Sequence, residues 1–167
     1  MGVGSVSSAG GAAANELGTL RGRDYPSVRQ FSIFSPNRMG QMLNLTRLLE
    51  SANLRICGLS IMDTSDSAII RLVVSEPERG YDVLQRGGYA FCEVDLLVVG
   101  LPDRDRPLHS ICAALLTAEI DIHYAYPLLS HPLDGAAMAF HVSDLDTASA
   151  VMVRGGFRLF NEADLET

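Results

Sequence analysis

The residues best placed for chemistry lie in 35–56, a stretch reading SPNRMGQMLNLTRLLESANLRI. Asn37 can cap a helix there, and Gly40 lets backbone or ligand come close at its first turn. A helix head carries unpaired N–H groups and a partial positive charge, so it suits a carboxylate. That chemistry is binding, and no catalytic set stands beside it. The chain has no GxSxG, no P-loop, no kinase-like loop and no paired acid with a base. The histidines, His109, His123, His131 and His141, show neither HxxH nor HExxH spacing. His123 and His141 can face each other on paired strands, but a metal site needs a third ligand. Tyr124 and Tyr126, two apart in a strand, share a face and either pack in the core or line a pocket. Cys57, Cys92 and Cys112 form no CxxC pair and read as reduced, buried thiols of a cytoplasmic protein.

Regular elements must position these residues. Met42, Leu45, Leu49 and Ala52 fall at helical spacing, with Leu48 widening the stripe, so one helix face is buried. Before the helix, residues 28–35 alternate as a strand. After it, 54–62 (LRICGLSIM) and 68–74 (AIIRLVV) read as two more, joined by a turn of self-bonding residues at 63–67. Ser75-Glu76-Pro77-Glu78 is a capping box opening a helix to about Arg86. Gly87-Gly88 ends that helix, because glycine accepts the left-handed conformation. Residues 91–99 make a fourth strand. The order is β-α-β-β-α-β, the split βαβ or ferredoxin-like unit.

The same order then starts again. Residues 96–101 can end one unit and begin the next, and Asp103-Arg104-Asp105-Arg106-Pro107 takes the place of the Asn37 turn. AEIDI at 118–122 answers ANLRI at 52–56, an offset of 66. VMVRGGF at 151–157 answers VLQRGGY at 83–89, an offset of 68. Residues 136–142 supply the hairpin partner, and Ser143-Asp144-Leu145-Asp146 repeats the cap. A repeat that matches at both a turn and a helix end identifies tandem copies. The predicted fold is α+β: two tandem ferredoxin-like βαββαβ units whose antiparallel sheets are covered by helices on one face. They span 27–97 and 98–167, behind a flexible Gly, Ala and Ser-rich tail at 1–26.

Composition bounds the partners. A net charge of −7 counts against a nucleic-acid surface or an anionic membrane. No apolar run approaches a membrane span, and the start has neither the basic and apolar regions of a signal peptide nor a myristoylation motif. No cofactor is required by any motif.

In this order, twice, the motifs resemble paired ACT domains, and residues 30–165 resemble small stand-alone bacterial proteins made of two such domains. The matching features are SPNRMGQM, ANLRI, VSEPERGYDVL, the VxRGG[YF] helix ends, GLPDRDRPL and EIDIHYAYP. The resemblance implies ligand binding: a small amino acid held at a domain interface by the glycine turn and by the following strand of a neighbouring domain. Carried over, the turn residues are Asn37, Arg38, Met39, Gly40 and Gln41, and the strand-start residues are Asn53, Leu54 and Ile56. The N–H groups near Gly40 would hold the carboxylate, with Asn53 or backbone carbonyls on the ammonium. In the second copy Asp103 and Asp105 can serve the ammonium. Arg106 replaces the glycine there, and its long side chain would enter the ligand's space, so the first turn is expected to matter more.

Plainer roles stand beside these. Gly40 can simply relieve a tight turn, Arg38 can be a solvated surface residue, and Asn53 can bond only its own backbone. At the level of function the first reading is a non-catalytic regulatory or sensing protein that binds an amino acid, most simply as a homodimer. The second is a regulatory subunit docking onto a biosynthetic enzyme, similar to the small subunit of acetolactate synthase. An enzyme on the same scaffold would need a convergent cluster of titratable residues, and an RNA-binding module would need a basic, aromatic strand.

Overall fold

A computed structural model describes residues 25–36, 40–63, 67–103 and 105–166. Asn37, Arg38 and Met39 fall outside these, as does nearly all of the expected tail. The elements follow the expected order: β1 (Val28–Pro36), α1 (Gln41–Ser51), β2 (Ile56–Asp63), β3 (Ser67–Val74), α2 (Pro77–Arg86) and β4 (Ala90–Gly100), then α3 (Pro107–Thr117), β5 (Ile122–Pro127), β6 (Ala137–Val142), α4 (Leu145–Arg154) and a short β7 (Leu159–Phe160).

One long strand joins the two copies. Residues 90–96 of β4 pair with β1, and 97–100 pair with β6, while Val98 and Val99 also meet β7. The result is one antiparallel sheet in the order β2-β3-β1-β4-β6-β5. It curls until its two ends meet. Gly58 of β2 bridges Leu128 just past β5, and the Leu129 N–H donates to the Cys57 carbonyl at 2.8 Å. A side chain at Gly58 would stand 2.8 Å from the Leu128 side chain, which is why the closing position carries none.

Alternation along each strand sorts the core into three bodies. Phe31, Ile33, Leu72 and Val74 face α1 and α2, where they pack on Leu45, Leu49 and Leu84. Leu97, Val99 and Phe140 face α3 and α4, against Ile111, Leu115 and Met152. The opposite sheet faces turn toward each other, with Val28, Cys57, Val73, Leu96, Val98, Tyr126 and Phe160 between them. Both copies thus have one helix-covered face, and each covers part of the other's bare one.

Two expectations need correction. Ser75 does not cap α2. The N-cap is Glu76, with no side-chain cap bond, and the Ser75 hydroxyl instead accepts the Arg55 N–H at 3.2 Å. The second copy does the same: Ser143 accepts the Asp121 N–H at 3.1 Å, and Asp144 caps α4 by accepting from the Thr147 N–H at 3.0 Å. Each serine pins the start of a strand, one residue before the helix head. The thiols are also not all buried. Cys57 is, and burial pushes it up from the usual thiol range, but Cys92 is exposed and Cys112 half-buried. Cys92 lies at the end of the β4 face that the second copy leaves uncovered.

Candidate functional site

Two of the four helix heads differ from the others. Gly40 stands at the N-cap of α1 with φ 85°, and Arg106 at the N-cap of α3 with φ 52°, both left-handed. The repeat therefore preserves the backbone conformation where the residue type changes. Among the described residues neither head has a side-chain cap bond, and neither has an acidic residue in its first turn, whereas α2 carries Glu78 and α4 carries Asp146. The heads of α1 and α3 thus keep the partial positive charge that elsewhere meets a carboxylate. Around Gly40 the space where a side chain would begin holds no atom of the described residues within 4 Å. At α3 the same position bears an exposed arginine, a cation where an anion is favoured, with exposed Asp103 and Asp105 in the turn before it.

The strand-start residues are placed by the ends of the helices. Asn53 is left-handed at φ 54°, and Glu119 matches it at φ 57°. The Asn53 N–H donates to the Glu50 carbonyl at 2.9 Å and the Leu54 N–H to Leu49 at 2.9 Å, the paired bonds of a Schellman end. Glu119 and Ile120 repeat them on Leu116 and Leu115, both at 3.0 Å. Leu54 closes the motif by entering the core, so only its backbone is open to a ligand. Asn53 remains exposed, and with Thr46, Glu50, Arg55 and Ile56 it lines a shallow depression of about 470 Å³.

The expected residues thus form two groups that do not meet within one copy. Gly40 and Gln41 begin α1, and Asn53 to Ile56 follow its end. An 11-residue helix is about 16 Å long, too far for one small zwitterion to touch both ends. A second depression of about 250 Å³ lies beside the second turn, lined by Gly100, Leu101, Pro102, Leu133 and Phe157 among others. Asp103 and Asp105 are outside its lining.

The model for the ACT domain pair matches residues 26–167. The chain belongs to the ACT domain pair family. A comparison with curated proteins gives no match. Among solved structures, a protein from Bacteroides thetaiotaomicron aligns with a TM-score of 0.76 at 24% identity, covering 84% of this chain and 96% of that one. The ligand-free regulatory subunit of aspartate kinase from Thermus thermophilus gives a TM-score of 0.52 at 8% identity, covering 77% and 92%. A structure of aspartokinase alpha and beta subunits gives 0.50 at 13% identity, covering 78% and 92%. At these identities the likeness is one of fold.

The ACT pair also holds a polar bridge that sequence reading missed. Gln30 on β1 is fully buried between the two sheet faces. The Tyr126 hydroxyl donates to Gln30 Oε1 at 2.7 Å, and Gln30 Nε2 donates to the Tyr124 hydroxyl at 2.8 Å and to Ser32 Oγ at 2.9 Å. The tyrosine rings lie 6.4 Å apart and nearly parallel. On the opposite sheet face the buried Arg29 gathers Glu93, Glu78 and Glu162, at 3.0, 2.6 and 3.4 Å, tying the segment after β7 to the first ACT copy. The signals for both bridges were present, a glutamine and an arginine inside a largely apolar strand, but their partners lie 49 to 133 positions away.

Proposed function

We propose that this ACT pair is a non-catalytic regulatory or sensing protein, acting in the cytoplasm, that binds a small amino acid at an interface between ACT domains. The observation that carries the reading is the head of α1. It is uncapped by any described side chain, has no acidic residue in its first turn and has no described atom within 4 Å of where a Gly40 side chain would begin, which suits seating a carboxylate on backbone N–H groups. Because Gly40 and Gln41 lie a helix length from Asn53 and Ile56, the ammonium end must be met by another domain. A homodimer supplies it, with the turn of one copy facing the strand start of its partner. Asn37, Arg38 and Met39 belong to the turn in this reading. The second turn, with Asp103 and Asp105, is the weaker site because Arg106 fills its approach.

A thermal-shift screen against the twenty amino acids tests the reading. Ligand at about a hundred times its dissociation constant stabilises by roughly 2.7 kcal/mol. A second reading, a regulatory subunit docking onto a biosynthetic enzyme, is favoured by the exposed Phe34, Ile61 and Met62 at one end of the sheet. It would show as a co-purifying enzyme, with amino-acid binding only in the complex.

A further inference from the structure

Arg71 sits on β3 between Ser60 of β2 and Ser32 of β1 in register. Its guanidinium carbon is 3.9 Å from the centre of the Tyr124 ring, which belongs to the second ACT copy. Tyr124 is paired across β5 and β6 with His141, their rings 4.9 Å apart, and His141 lies 4.9 Å from His123. One permanent cation and two groups able to become cations therefore meet at the junction of the two copies.

Among the described residues no carboxylate forms an ion pair with any of them. Arg71 makes no ion pair among the described residues, in a protein whose net charge is −7. Strands β1, β3, β5 and β6 contain no acidic residue. Asp63 of β2 and Glu93 and Asp95 of β4 alternate to the other side of the sheet, where Glu93 holds Arg29. The contact with Tyr124 uses none of the guanidinium's five N–H donors. Among the described residues one nitrogen reaches only the Met62 sulfur, at 4.0 Å. The Tyr124 hydroxyl accepts from Gln30, which leaves its own proton to donate. His141 Nδ1 is buried and has no hydrogen-bond partner among the described residues. Burial first, then His123 and Arg71, hold the His141 imidazole below the usual histidine range. The cluster opens outward, since His123 is exposed while Arg71, Tyr124 and His141 are half-buried.

We infer that Arg71, Tyr124, His123 and His141 form a binding site for a small oxyanion, a carboxylate or a phosphate group, at the junction of the two ACT copies. Arg71 supplies the fixed charge, Tyr124 a neutral donor, and the histidines further donors on protonation. A bound anion would touch β3 of one copy and β5 and β6 of the other, and so brace the junction. The site shares no residue with the Gly40 turn.

The test is a side-chain NMR titration of His123 and His141 in the full chain. Inorganic phosphate and acetate are added separately at constant ionic strength, set with chloride. The site predicts a saturable shift of both histidines and a rise in the titration midpoint of His141. Saturation by one anion at lower concentration identifies the source. Arg71→Met should weaken binding at least about tenfold, the scale of a lost charge-assisted bond, while Arg71→Lys retains part of it. Gly40→Arg should leave this titration unchanged, so failure here is distinct from failure of the amino-acid site. Shifts that never saturate with either anion, or that are the same in Arg71→Met and Arg71→Lys as in the parent, would overturn the inference.

Discussion

Gly40 and Arg106 hold the same left-handed backbone, φ 85° and 52°, at the heads of two helices that the repeat makes equivalent. The glycine adopts it freely, whereas a residue with a Cβ adopts it at a cost of roughly 1–2 kcal/mol. Arg106 also places its cation at the positive end of α3. Arg106→Gly should therefore stabilise the protein by about 1 kcal/mol, after the glycine's own entropy cost. Gly40→Ala should destabilise by a similar amount. Chemical denaturation of the two variants checks the opposite signs. The same sign for both would mean that the heads are not equivalent.

The bridge between the sheet faces gives a second expectation. Tyr126→Phe leaves Gln30 Oε1, fully buried, without its donor, at a cost of about 1–3 kcal/mol. Gln30→Leu strands both tyrosine hydroxyls and should cost at least as much. In the double variant fewer buried polar atoms are orphaned, so its loss should fall short of the sum of the single losses. Strict additivity in a double-mutant cycle would remove the bridge from the account.

Helix capping differs between the copies and can be read directly. Asp144→Ala removes a cap bond to the Thr147 N–H and should cost about 1 kcal/mol. Glu76→Ala removes no cap bond, only an exposed pair with Arg79, and should cost less than about 0.5 kcal/mol. Equal losses would contradict the assignment of the caps.

The His141 environment sets a pH dependence. Its folded value lies below its unfolded value, so as pH falls the unfolded chain takes up a proton first. The associated stability is complete above the unfolded value, about 6.5, and is lost as pH falls through it toward the folded value. Melting temperature should drop on acidification through that window, and His141→Gln should flatten the profile there. An unchanged profile in His141→Gln would place the titration elsewhere.

How much of this was legible follows from the range of each interaction. Leu45 and Leu49 announce their burial through local period, and Gly88 announces the end of α2, where it is left-handed at φ 74°. The tandem copies were visible because a turn and a helix end recur together. Ser75 was misread because the capping-box pattern is one residue ambiguous, and only the partner Arg55, 20 positions away, decides it. Arg29 with Glu162 and Gln30 with Tyr126 are separated by 133 and 96 positions, and no local pattern links them. Within the expected site, Gly40 stands left-handed at the head of α1 and Asn53 left-handed just past its end. The distance between them follows from the helix they flank, and in the proposed reading a second domain completes the site.

The central claim is tested most directly by calorimetric titration of the parent chain and of Gly40→Arg with the amino acid that the thermal screen selects. The variant is built to fold, since no described residue lies within 4 Å of the position and Arg106 already occupies the equivalent one. The account predicts saturable binding to the parent and its loss in Gly40→Arg, with helical content and association state retained. Unaltered affinity in Gly40→Arg, or no binding by the parent to any of the twenty amino acids, would contradict it.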